Sequence, residues 1–328
     1  MTRTVAVLLL LIAGLCFAGL GYGDYPVLPG ALLSALAGQA GTAPDVGMIV
    51  FDLRMPRVLL SLLVGLALAV AGAISQAVMR NPLAEPGILG INAGAAFAAM
   101  IVLVALKDAP VALLPWAGFA GASLMAAAIY GLSWRNGTTT LRLILIGIGL
   151  SALAGAVNTF LSAFGAVGDV QRAMIWLAGS TYHADWAGVR TLALWLVLPV
   201  LVTLMLSREL DLIRFGDQTA RGRGQSVNLT RAVLIALCTL ISGAAVAAAG
   251  LIGFVGLIAP HMARHLVGPT HRRLIPVAAL VGAAIVLGAD FAGRVVIAPG
   301  EIPAGLVTAL LGAPFFGLLL WRFRDVPS

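Results

Sequence analysis

The sequence predicts an all-α polytopic membrane protein, and two features of its composition support that fold class. Of the 328 residues, 61% are hydrophobic and 10% are charged, and the mean hydropathy of +1.04 lies far above that of a soluble domain. The apolar runs are rich in Gly and Ala and do not alternate with polar residues, as the strands of a membrane barrel would. We therefore predict helical spans.

The chain contains about ten apolar runs of the roughly 20 residues that a helix needs to cross a bilayer. The 39 glycines suit close packing between such helices. The first run has the basic start and apolar stretch of a signal peptide, but we expect it to be retained, because its removal would place the chain ends on opposite sides. We predict one transmembrane domain over residues 1–328, with spans at roughly 4–23, 57–78, 90–106, 111–134, 141–165, 190–206, 231–249, 252–268, 274–296 and 303–321.

Lysine and arginine lie mostly on one side of these spans, and this bias orients the chain. With the N-terminus in the cytoplasm, 14 of the 20 basic residues lie inside and the C-terminus is cytoplasmic as well. The net charge of +7 is therefore a signal of topology, and no segment is long enough to form a nucleic-acid-binding domain. Cys16 and Cys238 fall inside spans, so no disulfide is expected. The six outer basic residues are Arg54, Arg57, Lys107, Arg172, Arg190 and Arg294.

The spans hold almost none of the ionisable groups that ion-coupled carriers place at membrane depth. The exception is Asp290, which stands four residues before Arg294, a spacing that lets the two side chains pair on a helix. A Walker loop needs a lysine after its glycines, but the only lysine is Lys107, in a predicted outer loop. We expect no catalytic residue, metal or cofactor in this chain, so energy for any pumping must come from a partner.

The longest predicted inner loop is "RELDLIRFGDQTARGRGQSVNLTR", residues 208–231, with five arginines and three acids around a short possible helix. Gly216 and Gly222 are predicted breaks in that helix. Connections between packed helices are usually about 2 to 8 residues long, so this length favours a docking surface for a partner. A solvated loop whose arginines only fix the orientation is the alternative.

A short internal sequence repeat relates the second span to the seventh. "PRVLLSLL" at 56–63 begins the one and "TRAVLIAL" at 230–237 begins the other, and an Ala-Gly pair follows near the far end of each. Five spans separate the two copies, so they run in opposite directions through the membrane. This is the pattern of an inverted repeat, which suits alternating access around a central path.

Several long motifs resemble the FecCD-type permeases, the membrane subunits of ABC importers for ferric siderophores, haem and cobalamin. They are "RMPRVLLSLLVGLALAVAGAISQAVMRNPLAEPGILGINAGA", "GLIGFVGLIAPHMARHLVGPTHRRLIPVAALVGA", "ADFAGR" and "EIPAGLVTALLGAPFFGLLL", in order over residues 50–321. The resemblance implies a type II importer permease in the bacterial inner membrane. Its partners would be a second permease chain, two ATP-binding subunits that use ATP and magnesium, and a periplasmic binding protein.

The resemblance also implies roles for individual residues. Arg54, Arg57 and Arg294 would receive acidic residues of the binding protein, although Arg57 also suits an interfacial anchor. Within a coupling loop at 208–230, Gly216, Asp217, Ala220, Arg221 and Gly224 would face the ATPase. Asn81, Leu83, Thr139 and Thr140 would form the cytoplasmic gate, although prolines and threonines also simply end helices at such turns.

The segment "WLAGSTYHADW", 176–186, looks most like the siderophore branch of the family. Tyr182 and His183 depart from its commonest form, and such a pair suits either haem-iron ligation or an interfacial anchor. We therefore predict translocation of an iron-siderophore complex, with haem or cobalamin import as the alternative. An ion-coupled secondary carrier and a structural or signalling membrane protein are hypotheses of other classes.

Overall fold

The structure, a computed structural model, describes residues 1–23, 25–38, 44–106, 109–135 and 137–323; Lys107 lies outside these ranges. The described residues form an all-helical bundle with fifteen α-helices and no β-strand. The helices are α1 (Thr2–Gly21), α2 (Pro29–Leu36), α3 (Pro44–Met48), α4 (Met55–Val78), α5 (Ile91–Met100), α6 (Leu114–Ser133), α7 (Thr140–Phe164), α8 (Val167–Leu177), α9 (Trp186–Met205), α10 (Ser207–Arg214), α11 (Asp217–Gly222), α12 (Val227–Ala249), α13 (Val255–Val267), α14 (His271–Val295) and α15 (Ala304–Phe323).

Seven helices in the described part of the chain are long and apolar enough to cross a membrane, and two shorter apolar helices accompany them. A π-helical stretch, Ile49–Arg54, joins α3 to α4, and a second, Ile101–Ala105, extends α5. Nine of the ten predicted spans correspond to these helices. The seven are α1, α3 with α4, α6, α7, α9, α12 and α14, and the shorter two are α5 with its extension and α15.

The eighth predicted span, 252–268, differs from the helix in the structure. It is α13, which starts at Val255 and has 13 residues, so it is about 20 Å long and shorter than the roughly 30 Å hydrocarbon core. The preceding segment cannot extend it, because Phe254 has the left-handed φ of 66°. A Cβ on Gly250 would also overlap the carbonyl oxygen of Trp176.

Several short helices lie in segments predicted as connections. They include α8, in the predicted outer connection after the fifth span, and α10 and α11, in the predicted coupling loop. Hydropathy alone misses such helices, because only one of their faces is apolar. In α10, for example, Leu210 and Ile213 are buried while Arg208 is exposed.

The centre of the bundle is α4, which is buried along almost its whole length. It packs on α12, α13 and α14, and glycines permit backbone contact at two of these crossings. A Cβ on Gly65 would overlap the carbonyl oxygen of Gly282, and one on Gly72 would overlap that of Gly256. Close backbone approach of this kind is how glycine packs helices together in membranes.

The two halves of the bundle pack reciprocally. The first helix of the first half, α4, packs on α14, which is the third helix of the second half counted from α12. In the same way α12 packs on α6, the third counted from α4, and α4 and α12 also contact each other. Such crosswise pairing is what two halves related by an inverted repeat produce.

Candidate functional site

One end of the bundle, here called the arginine end, collects the three predicted docking arginines. Asp290 of α14 lies between two of them: Arg57 Nε donates to its Oδ1 at 2.9 Å, and Arg294 Nη2 lies 3.2 Å from its Oδ2. Asp290 is 2% exposed, and each arginine is less than 10% exposed. The predicted pairing of Asp290 with Arg294 is confirmed, and Arg57 is a further partner.

Arg57 has a second carboxylate partner nearer the surface. Its Nη1 donates to Glu301 Oε1 at 3.0 Å, and the Glu301 side chain is 31% exposed. The ring of Tyr182 covers the guanidinium from another side, with its centroid 5.4 Å from Cζ. Arg57 therefore has one buried counter-ion, one half-exposed counter-ion and an aromatic neighbour.

Hydroxyl groups and the end of α1 complete this cluster. Thr181 Oγ1 donates to Asp290 Oδ1 at 2.8 Å. Arg54 donates to the carbonyl oxygens of Leu20 and Tyr25 at 2.7 and 2.5 Å, and Arg294 donates to that of Gly19 at 3.1 Å. The outermost turn of α1 is thus held by two of the predicted docking arginines.

The three arginines line one cavity of about 400 Å³, together with Tyr182 and Glu301. The three predicted docking arginines are largely buried and already paired with protein groups. Burial strengthens their electrostatic effect inside the cavity, because water screens it less there. The arginine end therefore contains a recess lined by three guanidinium groups and one carboxylate.

Tyr182 and His183 lie at the rim of this recess. Tyr182 packs on Arg57, and the His183 ring stands edge-on to it with a centroid distance of 4.9 Å. Among the described residues there is no group of three or more His, Cys, Asp or Glu side chains suited to a metal ion. The geometry thus links Tyr182 to the arginine cluster.

The opposite end, here called the loop end, carries the predicted coupling residues on α11. Gly216 and Gly224 have φ values of 105° and 82° and bracket this helix, a conformation that favours glycine. Asp217 begins α11, and its Oδ1 accepts a hydrogen bond from Arg231 Nη2 at 2.7 Å. Ala220 is buried and Arg221 is exposed. The five predicted residues therefore lie around one short helix.

A second set of contacts ties α10 to the start of α14. His271 donates from its backbone amide to Asp211 Oδ1 at 3.0 Å, and its Nδ1 lies 2.6 Å from the same oxygen. Burial raises the pKa of the Asp211 carboxyl, but the bonds with His271 outweigh it, so this pKa lies below its ordinary value. Arg214 donates to the carbonyl of Pro269 at 2.9 Å. The loop end is thus a structured platform.

The predicted gate residues lie in the turn 79–90, in the segment 137–139 and at the start of α7. Asn81 Oδ1 accepts the amide of Leu83 at 2.9 Å, an Asx-turn. Leu83 packs beside the buried residues of α13 and α15. Thr139 caps α7 by accepting the amide of Arg142 at 3.4 Å, and Thr140 donates to the carbonyl of Val78 at 3.4 Å. The structure therefore brings the start of α7 into contact with the end of α4.

The turn 79–90 also carries a half-buried acid, Glu85. Burial raises the pKa of this carboxyl, and a hydrogen bond from the amide of Phe254 offsets part of that shift. Phe254 precedes α13, so the carboxyl meets the positive end of that helix. Glu85 thus connects the turn 79–90 to α13.

Sequence reasoning did not single out Glu301, Thr181 or Arg231, although each has a direct contact with a predicted site residue. Glu301 is an acid between two apolar helices, and Arg231 is a charge at the head of an apolar run. Arg231 was counted only as one of the basic residues of the predicted inner loop 208–231. No sequence signal marked Glu301 or Arg231 as a partner of a site residue.

An all-helical membrane bundle with reciprocal halves, a charged recess at one end and a helical platform at the other has the architecture of a transport subunit. A family model described as the FecCD transport family matches residues 8–322, and the chain belongs to this family. It is the membrane-spanning permease subunit of an ABC importer.

Individual relatives resemble the chain over most of its length. The Bacillus subtilis (strain 168) protein named iron(3+)-hydroxamate import system permease protein FhuG is 42% identical over 97% of this chain and 96% of its own length. The Yersinia pestis protein named hemin transport system permease protein HmuU is 40% identical over 84% of each chain. A solved structure of an inward-facing ABC transporter, described as metal-chelate type, superposes with a TM-score of 0.85 at 30% identity, over 98% of this chain and 100% of that one.

Proposed function

We propose that this permease imports a ferric siderophore, which it receives from a periplasmic binding protein and releases into the cytoplasm. The family match and the relative named for iron(3+)-hydroxamate import support a chelated ferric ion as the cargo. The relative named for hemin transport covers less of the chain, which favours a siderophore over haem. The siderophore is the substrate, and the metal travels within it.

The platform at the loop end is the observation that supports import driven by a partner ATPase. The chain has no lysine in a Walker motif, yet α10 and α11 are fixed to the bundle through Asp211, Arg214 and Asp217. A rigid helical surface on a chain that cannot bind nucleotide in this way suits docking of an ATPase. We place Gly216, Asp217, Ala220, Arg221 and Gly224 at that contact.

The orientation follows from this assignment and from the bias of basic residues. The loop end faces the cytoplasm, both termini lie there, and the arginine end faces the periplasm across the bacterial inner membrane. A second permease chain and two ATP-binding subunits complete the importer, and those subunits bind ATP and magnesium. The segments that hold Asn81, Leu83, Thr139 and Thr140 form the inner gate.

The recess at the arginine end is the docking site for the binding protein. Arg54, Arg57 and Arg294 present guanidinium groups there, and such groups bind carboxylates with fixed geometry. Asp290 is neutralised by Arg57 and Arg294, which disfavours the alternative of an ion-coupled carrier with Asp290 as its coupling group.

Uptake of labelled substrates tests the cargo. Cells that lack this chain are complemented with it and supplied with a ferric hydroxamate, haem or cobalamin. We expect complementation to restore uptake of the ferric hydroxamate alone. Restored uptake of haem or cobalamin without the hydroxamate would contradict the proposed substrate, while cells with an Arg54→Glu, Arg57→Glu and Arg294→Glu chain should take up none of the three.

A further inference from the structure

We propose that Arg231 is a positioning residue that transmits movement of α11 to the inner gate. This proposal rests on the proposed function, because it assumes that an ATPase moves α11. Arg231 belongs to the first turns of α12, between the two elements that it would connect. Its side chain contacts α11 on one side and the segment 137–139 on the other.

The burial of Arg231 is the first argument. It is 0% exposed and is the largest fully buried side chain among the described residues. A fully buried arginine is rare and is held only by specific partners. Two residues hold this one: Asp217, whose Oδ1 lies 2.7 Å from Nη2, and Thr138, whose carbonyl and hydroxyl oxygens lie 2.6 and 3.4 Å from Nη1. Its Nε has no hydrogen-bond partner in the described structure.

Because Nε has no hydrogen-bond partner, a contribution to stability alone does not explain why an arginine is buried at position 231. A buried ion pair is often no more stable than an apolar residue of similar size in its place. An apolar residue at 231 would fill the same space, but it would bind neither Asp217 nor Thr138. What the arginine adds is a directional connection between two separate elements.

The connection continues from Thr138 into both segments of the predicted gate. Thr138 precedes Thr139, the cap of α7, and Thr140 donates to the carbonyl of Val78, the last residue of α4. The path from Asp217 runs through Arg231 to Thr138 and along the chain to Thr140. Thr140 then bonds to Val78, the residue before the turn 79–90, and each hydrogen bond on this path is 3.4 Å or shorter.

A second contact reaches the turn 79–90 directly. A Cβ on Gly216 would lie 3.4 Å from Nη1 of Arg80, so the residue before α11 packs on the Arg80 side chain. Arg80 itself has a positive φ of 51°, in the left-handed region. A displacement of α11 therefore acts on both segments at once, and the hydrogen bonds of Arg231 give it a direction.

The test measures how many substrate molecules are transported per ATP hydrolysed by the complete importer in proteoliposomes. We compare the wild type with Arg231→Met, which removes all the hydrogen bonds of the guanidinium group, and Arg231→Lys, which keeps the charge but loses the fork geometry. Arg3→Gln is the matched control, because Arg3 is an exposed arginine outside the coupling loop. Siderophore transported per ATP is expected to fall about tenfold in Arg231→Met, within the range of allosteric coupling.

The outcomes separate the possibilities. A ratio that falls in both Arg231 variants, less in Arg231→Lys, and is kept in Arg3→Gln supports the proposal. A parallel loss of ATP hydrolysis and transport, with an unchanged ratio, overturns it and indicates a structural role. If Arg231→Met does not fold, the Arg231→Lys ratio decides. A wild-type complex that does not associate with the ATPase contradicts the proposed function instead.

Discussion

Replacement of Asp290 by asparagine tests the buried charge cluster at the arginine end. The change keeps the shape of the side chain and removes its charge. Arg57 and Arg294 then lose the carboxylate that lies within 3.2 Å of both, and only the half-exposed Glu301 remains near Arg57. Both guanidinium groups stay in a site that is less than 10% exposed.

The expected cost follows from the burial of all three groups. Breaking a buried ion pair by removing one partner typically destabilises a protein by about 3–5 kcal/mol, because the remaining charge is left uncompensated. An exposed pair contributes only about 0.2–1 kcal/mol. The chain supplies such a pair in Asp169 and Arg172, where the arginine side chain is 67% exposed. Asp169→Asn is therefore the matched control.

The assay is reversible denaturant unfolding of each variant in the same detergent, followed by tryptophan fluorescence. We expect Asp290→Asn to lower the free energy of unfolding by about 3 kcal/mol or more, and Asp169→Asn by less than about 1 kcal/mol. Equal decreases in the free energy of unfolding of the two variants would refute the reasoning, since burial would then have no effect on the stability that an ion pair contributes.

Three further predictions concern packing, protonation and docking. Gly282→Ala should destabilise the bundle by about 1–3 kcal/mol, because its Cβ meets the Gly65 carbonyl, whereas Gly288→Ala has room; equal unfolding free energies would contradict this. Burial raises the pKa of Glu85, so its protonated form favours folding below the ordinary pKa, and that benefit is lost as pH rises through the folded value. Glu85→Gln should therefore gain stability over wild type as the pH increases from 4 to 8, and a pH-independent difference in melting temperature would count against it. Arg57→Glu should weaken binding of the substrate-loaded binding protein to permease in nanodiscs by at least about tenfold, and unchanged affinity would exclude Arg57 from docking.

The apolar runs were sufficient to predict most of the long helices, because a span needs many apolar residues in sequence. They were insufficient at α13. The apolar run continues through Gly250 and Phe254, but both residues have a positive φ, and the helix begins only at Val255. They also missed α8, which lies in a predicted outer connection, and the loop that holds α10 and α11 was expected to contain only one short helix.

For the candidate site too, the sequence predicted one part and not the other. Resemblance of motifs indicated the arginines and α11, and the structure brings each group together. The partners of those residues depend on contacts between distant segments: Glu301 reaches Arg57 from 244 positions away, and Arg231 reaches Thr138 from 93. No local pattern encodes such pairings, so burial and partners became known only from the folded chain.

The most direct test of the central claim is ATP hydrolysis by the chain reconstituted with its ATP-binding partner in proteoliposomes. Addition of the substrate-loaded binding protein at the arginine end should stimulate hydrolysis and drive accumulation of the ferric siderophore. Absence of any association with the ATPase, or accumulation driven by an ion gradient without ATP, would contradict the assignment of this chain as the permease of an ABC importer.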